Sequence, residues 1–186
     1  HDIGDTFAVG TTTVTYTVTD LAGNTATSSF TVTVTDDEAP VISNIPADFT
    51  VGTFDGLSTA VVTWPEAPAA DPAASDNCGV TSFTSTHASG DTFNEGITTV
   101  TYTAMDAAGN TTTSSFTVTV SDGEAPVISG NPTDITQTAD AGLCSAVVTY
   151  TAPTATDNVA IASFTGDAAS GDTFPVGTTT VTYTAI

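Results

Sequence analysis

The 186-residue chain has no lysine and no arginine, against 21 acidic residues and two histidines, giving a formal net charge of −21 at pH 7. With no cationic side chain to displace counterions, nucleic-acid binding by phosphate neutralisation is excluded, and a polybasic membrane-surface role fails for the same reason. The two cysteines and two histidines stand in no spacing that would hold zinc. No apolar run is long enough to cross a membrane, so direct membrane insertion is not expected, and no stretch carries a helical 3.6-residue period. No signal peptide is visible, which for an internal segment says nothing about targeting. Charge-driven disorder is also excluded: 39% of residues are hydrophobic, the mean hydropathy is +0.16, and the acids are spread along the chain.

What the chain has in abundance is repetition. Gly4-Asp5-Thr6-Phe7 returns at residues 90–93 and 171–174, each time followed by a glycine, a threonine cluster and Val-Thr-Tyr-Thr. Ala39-Pro40-Val41-Ile42-Ser43 returns at 125–129, and Phe30-Thr31-Val32-Thr33-Val34 at 116–120. The first two Gly-Asp-Thr-Phe copies are 86 residues apart and the next two 81; Trp64 and Tyr150 keep the longer spacing, whereas Asp76-Asn77 and Asp157-Asn158 keep the shorter. Five extra residues therefore sit in the Ala- and Pro-rich loop between Trp64 and Asp76, and the core positions hold register. Residues 1–38 read as the tail of one unit, 39–124 as a complete unit, and 125–186 as a unit lacking its last strand, so a longer parent chain is expected.

Apolar residues at every second position of 12–19, and again of 98–104 and 179–185, mark strands with one buried and one wet face. About 40 threonines suit such pleated surfaces. Gly, Asn, Asp and Pro turns punctuate these runs, which predicts an all-β fold: tandem antiparallel β-sandwiches of the immunoglobulin-like kind, with about seven strands per unit. For the complete unit, strands are expected near 40–44, 48–52, 59–64, 80–85, 91–93, 97–105 and 112–121. The expected core is Val41, Ile42, Ala60, Val62, Trp64, Phe83, Phe93, Val100, Tyr102, Ala104, Phe116, Val118 and Val120.

Taken together, Asp-Glu-Ala-Pro-Val-Ile at the head of a unit, a central Asp-Asn, the Ser-Gly-Asp-Thr-Phe turn, Val-Thr-Tyr-Thr-Ala and Asp-x-Ala-Gly-Asn before Phe-Thr-Val-Thr-Val resemble the hyalin repeat (HYR) domain. The resemblance covers the whole chain. It implies an immunoglobulin-like extracellular module, found in tandem in secreted and cell-surface proteins and associated with adhesion. The threonine-rich, lysine-free character is similar to repeats of giant bacterial surface adhesins, including the SprB-type gliding-motility adhesins of Bacteroidetes. Many members of the family carry Gly-x-Cys and Asp-Asn-Cys, which would bridge within one unit. Here Cys78 faces Ser58 in that pattern, and Cys144 faces Val159. A bond between Cys78 and Cys144 would need Cα atoms within about 7 Å; two unpaired, half-buried thiols are the expectation.

In an immunoglobulin-like sandwich the entering chain and the B–C and F–G loops share one pole. That pole collects the linker Asp36-Asp37-Glu38 with Asp76, Asn77, Asp106 and Asn110; at the next junction the set is Asp122, Glu124, Asp157 and Asn158. Two bare carboxylates about 4 Å apart repel by about 4 kcal/mol at an effective dielectric of 20, and the chain has no cation to offset it. Calcium takes carboxylate, amide and carbonyl oxygens of this kind. Interdomain calcium held by Asp37, Glu38, Asp76, Asn77, Asp106, Asp122, Glu124, Asp157 and Asn158 is thus one expectation, and turn formation by the same Asp and Asn residues is the other. His1 and His87 occupy equivalent exposed-loop positions, and no serine, histidine and acid combine into a catalytic set, so no enzyme activity is expected. Asn110-Thr111-Thr112 matches an N-glycan sequon inside the repeated turn.

The function expected from these readings is that of a stalk segment in a large extracellular, cell-surface adhesin or filament, serving adhesion or cell-surface motility. Its partners would be neighbouring repeats, and surface glycans or other cell-surface proteins. The alternatives are a glycan- or protein-binding module acting through its pole loops, or accessory repeats of a secreted enzyme. The 65–76 loop, which holds only Ala, Pro, Asp, Glu and Ser, offers no aromatic platform for a ligand.

Overall fold

The computed structural model describes residues 4–64 and 71–186. His1 and residues 65–70 of the alanine- and proline-rich loop lie outside that range. The fold is all-β. Strands β1 (Gly10–Thr19) and β2 (Thr25–Val34) form a ten-residue antiparallel hairpin in which Gly10 opposes Val34 and Thr19 opposes Thr25. Strict alternation puts Thr11, Thr13, Thr15, Thr17 and Thr19 on one face, each opposite a threonine or serine of β2.

The next repeat contains β3 (Val41–Ser43), β4 (Phe49–Gly52), β5 (Thr59–Val61), β6 (Ala73–Ser75), β7 (Val80–Ser85), β8 (Thr92–Asn94), β9 (Gly96–Asp106) and β10 (Thr111–Ser121). Seven of these answer to segments the alternation marks; β6 is an eighth. Ala73-Ala74-Ser75 has no β-branched residue to announce a strand, and it forms one by antiparallel pairing with β3. The largest sheet has the order β4-β10-β9-β7. Within it β4 runs parallel to β10, an exception to the expected antiparallel pairing. The reason is directional: the segment leading to β3 and β4 is pinned to the turn that starts β10, since the Asn110 side chain donates to the Asp36 and Glu38 carbonyls. Both strands therefore leave from the same end.

In the last repeat β11 (Val127–Ser129) pairs with β13 (Thr154–Thr156), β12 (Ser145–Val147) with β15 (Thr173–Pro175), and β14 (Phe164–Gly166) with β16 (Tyr183–Ala185). These pairs repeat β3 with β6, β5 with β8, and β7 with β9.

By packing, the chain forms two compact units. One carries β1–β3, β6, β7 and most of β9 and β10; the other carries β4, β5, β8, the remaining ends of β9 and β10, and β11–β16. In the first unit Val100, Tyr102, Ala104 and Phe116 are buried, the edge of Trp64 meets Phe116 at 4.9 Å, and Phe83 stacks on Tyr102 at 5.5 Å. In the second, Ala60, Val62, Phe93, Val118, Val120 and Ala146 are buried.

Val41 departs from the expected core, being 61% exposed. β3 is three residues long and only its central Ile42 turns inward, so its neighbours must face water. Ile42, Trp64 and Phe83 are half-buried.

Candidate cation site and repeat junctions

The turn between β9 and β10 is built on Asp106. Its Oδ1 accepts from the Gly109 and Asn110 backbone N–H groups at 2.7 and 2.8 Å, and its Oδ2 accepts from Asn110 Nδ2 at 2.8 Å. Gly109 at φ 95 supplies the left-handed residue that the turn requires. Asp20 and Asn24 make the same turn in the first hairpin, with Asp20 Oδ1 accepting from Ala22 and Asn24 N–H and Asn24 Nδ2 donating to Asp20 Oδ2. Burial, with Asp106 only 2% exposed, favours its neutral acid. The hydrogen bonds from Asn110, Gly109 and Ala108 outweigh that and hold the carboxyl below its ordinary value, so it is ionised.

Two more carboxylates meet it. Asp36 closes a turn with its Oδ1 on the Glu38 N–H at 3.3 Å, and Asp76 does so with its Oδ1 on the Cys78 N–H at 2.8 Å. Asp36, Asp76 and Asp106 each bring one oxygen within 4.8 Å of the others. Asp36 Oδ2 and Asp76 Oδ2 have no accessible surface and no hydrogen-bond partner. Each of these two residues spends one oxygen on its own turn, and the Asp36 carboxylate also accepts from the Cys78 thiol.

Of the residues singled out from the sequence, Asp76 and Asp106 are in this set. Asp37 and Asn77 are exposed and outside it. Glu38 contributes backbone only, its N–H to Asp36 and its carbonyl to Asn110. Asn110 Nδ2, the atom an N-glycan would modify, donates to three acceptors, the Asp106 carboxylate and the Asp36 and Glu38 carbonyls.

In the second unit the parallel residues make a different arrangement. Asp122 Oδ1 accepts from Glu124 N–H at 3.0 Å and Asp157 Oδ1 from Val159 N–H at 2.9 Å, the same two turns as at Asp36 and Asp76. Glu124 Oε2 accepts from Gly56 N–H at 2.8 Å, and Asn158 Nδ2 donates to the Leu57 carbonyl at 2.8 Å and Thr53 Oγ1 at 3.3 Å. Asp157 Oδ2 and Asn158 Oδ1 are buried without a partner. Among the described residues, no third carboxylate joins Asp122 and Asp157.

The HYR domain model matches residues 1–34, 35–120 and 121–186. The chain belongs to the HYR family. Hyalin of Lytechinus variegatus is 40% identical over 99% of the chain, a match that covers 35% of that hyalin. Hyalin of Strongylocentrotus purpuratus is likewise 40% identical over 99% of the chain, which covers 16% of its length. The rat protein named Sushi, von Willebrand factor type A, EGF and pentraxin domain-containing protein 1 is 35% identical over 71% of the chain and 3% of its own length. The chain spans about a third or less of each of these relatives.

In HYR terms Asp36, Asp76 and Asp106 all fall inside the second match, whereas the Glu124–Gly56 and Asn158–Leu57 bonds join the second match to the third. Sequence reasoning gathered Asp36 at this pole with Asp37 and Glu38 but left it out of the expected ligands. A signal for it exists: Asp36-Asp37-Glu38 aligns with Asp122-Gly123-Glu124, so Asp36 and Glu38 recur between HYR repeats while position 37 becomes glycine.

Both cysteines are free, and they are exposed instead of half-buried. Although Cys78 is exposed as a residue, loss of hydration at its thiol, then a hydrogen bond to Asp36 and the charges of Asp36, Asp76 and Asp106, push its pKa above the ordinary value. Thiolate is the reacting form. Iodoacetamide at mildly alkaline pH is therefore expected to modify Cys144 faster than Cys78, as followed by peptide mass spectrometry, and Asp36→Asn should narrow the gap. Equal rates in the parent chain would contradict this reading of the thiol's surroundings.

Proposed function

We propose that the chain is a spacer segment of a large extracellular adhesion protein, a stalk or surface filament in which tandem HYR repeats carry adhesive or motility elements at a cell surface. One observation carries the reading: consecutive repeats are tied by side-chain hydrogen bonds, Glu124 to Gly56 and Asn158 to Leu57 and Thr53, across a linker only a few residues long. A junction held at several points resists bending, which a spacer needs and a flexible tether lacks. The relatives named hyalin support an adhesion setting, and their match across almost the whole chain supports a repeat array. The net charge of −21 favours extension and discourages self-association. No helix of the described residues is long and apolar enough to cross a membrane.

A spacer and a receptor differ in what they capture. The purified chain immobilised on beads is expected to bind neither a panel of surface glycans nor intact cells above the level of uncoated beads. In the same test, saturable glycan or cell binding that substitutions in the Asp76–Cys78 or Asp106–Asn110 loops abolish would replace the spacer reading with that of a pole-loop binding module.

A further inference from the structure

We propose that Cys78 and Cys144 are halves of inter-repeat disulfides: each bonds a cysteine of an adjoining HYR repeat, Cys144 as the Gly-Leu-Cys half and Cys78 as the Asp-Asn-Cys half. The proposal rests on the clasped junction of the spacer reading. There Glu124 Oε2 accepts from Gly56 N–H and Asn158 Nδ2 donates to the Leu57 carbonyl, both at 2.8 Å. Position 58 follows Leu57 and position 159 follows Asn158, so these two positions flank the contact. In the repeat register Cys144 corresponds to Ser58, and Cys78 corresponds to Val159.

The parts of the same clasp recur at the entry of the second repeat and the exit of the third. Leu57 N–H donates to the Phe54 carbonyl at 2.9 Å with Gly56 at φ 71, and Leu143 N–H donates to the Asp140 carbonyl at 2.9 Å with Gly142 at φ 80. This turn leaves its glycine N–H out of its own hydrogen bond. Gly56 gives that N–H to Glu124, whereas among the described residues the Gly142 N–H and the Leu143 carbonyl have no partner. The Glu38 carboxylate and the Asn77 amide have none either, and Asn77 is exposed where Asn158 is half-buried. Both cysteines are free and exposed beside these unengaged groups.

Within one repeat the two cysteine positions cannot meet. The Ser58 carbonyl accepts from Glu95 N–H at 2.9 Å, next to the start of β9, and Cys78 is two residues from Val80, which pairs with Asp106 at the end of β9. β9 is 11 residues long, which at about 3.3 Å per residue is far more than the roughly 7 Å a disulfide allows between Cα atoms. The Cys144 carbonyl takes the matching place in the last repeat, accepting from Val176 N–H at 3.1 Å. The bridge inside one unit that the family pattern implies is therefore excluded. Pairing across junctions also accounts for which positions hold cysteine. Counted within repeats, Cys78 faces Ser58 and Cys144 faces Val159, two broken pairs; counted across the junction of the second and third repeats, Ser58 meets Val159 and no pair is broken. Bond formation takes its oxidant from a low-molecular-weight disulfide such as oxidised glutathione. One thiolate attacks it and releases a first small thiolate; the second cysteine's thiolate then attacks the mixed disulfide and releases another. Both cysteine protons end on the released thiols or in solvent.

Two experiments on the whole chain test the pairing. In a glutathione redox buffer, Ser58→Cys with Val159→Cys, made together with Cys78→Ser and Cys144→Ser, is expected to close one intramolecular disulfide, seen as the loss of two hydrogens by intact mass and resistance to maleimide. Ser58→Cys with Cys144→Ser, which keeps Cys78, should leave two thiols open to maleimide. The reverse result, or no bridge in the first chain, would overturn the proposal. The second experiment uses the native thiols, with a second copy of the chain as the adjoining repeat. A Cys78→Ser chain mixed with a Cys144→Ser chain is expected to give the mixed dimer in excess of its random share, and Asn77→Ala in the chain that keeps Cys78 should lower its yield about threefold or more. Symmetric dimers in random or greater share, or a yield indifferent to Asn77→Ala, would overturn the assignment of these two cysteines. A failed bridge refutes the pairing alone, whereas glycan or cell capture on beads refutes the spacer.

Discussion

In the 186-residue chain, replacing Phe116 by alanine is expected to cost about 3–5 kcal/mol of unfolding free energy, while the same replacement at Phe30, the equivalent position in a repeat of which only the β1–β2 hairpin is present, costs about 1 kcal/mol or less. The two residues share a place in the Phe-Thr-Val-Thr-Val run and differ in their surroundings. Phe116 is 2% exposed and receives the edge of Trp64 at 4.9 Å. Phe30 is 51% exposed, with Tyr16 stacked on it at a looser 6.3 Å. Deleting the first ring leaves a cavity inside a closed packing layer; deleting the second removes surface that is already half in water. Urea midpoints of the two variants, with hydrogen exchange of the β10 amides as a local readout, separate the cases. Equal losses would mean that the β1–β2 hairpin is packed far more tightly than its exposure indicates.

Gly166→Val is expected to be the most damaging single change in the last repeat, at about 1–3 kcal/mol. A Cβ at position 166 would lie 2.6 Å from the Tyr183 ring, with two further ring atoms at 3.0 Å. Gly166 opposes Tyr183 across β14 and β16, so the ring rests on the glycine and has little room to withdraw, since Phe164 stacks against it at 5.7 Å. Moving it breaks the bond from Tyr183 OH to Tyr150 OH at 3.2 Å, while Tyr150 OH donates onward to the Ala168 carbonyl. The middle repeat solves the same position differently: Ser85 opposes Tyr102, and Trp64 stands where Tyr150 does. The smaller change Gly166→Ser should therefore keep the fold and lose the tyrosine pair.

The tyrosine pair can be read by titration. The hydrogen bond from Tyr183, then burial, push the Tyr150 phenol up to about 12. Because the folded value lies above the ordinary 10.0, the stability it confers is complete below pH 10 and is lost as pH rises through 12. Ultraviolet titration should show one tyrosine ionising near that upper value, and Gly166→Ser should bring it back toward 10.0. An unchanged titration in Gly166→Ser would show that the ring never depended on the glycine.

The long strands were legible because their cause is local: alternation of Val, Tyr, Phe and Thr in β9 and β10 leaves only one way to bury one face. β6 was not, since Ala73-Ala74-Ser75 becomes a strand through its partner β3 and not through its own preference. Val41 misled because apolar character says nothing about parity in a three-residue strand. At the acidic pole, the expected immunoglobulin-like topology indicated which segments converge, and the turn-forming role of Asp and Asn was equally readable. What sequence cannot give is the division of labour between the two oxygens of one carboxylate. Oδ1 of Asp36 and of Asp76 closes a turn, a choice of atom that the folded backbone alone makes.

The reach of Asn110 bears on how such a chain is assembled in time. Its amide fastens carbonyls that precede it by 72 and 74 residues. A polypeptide emerging amino end first, from a ribosome or through an export channel, exposes the Asp36–Glu38 segment well before the residue that fastens it. That segment is therefore unfastened until the β9–β10 turn of its own repeat has emerged.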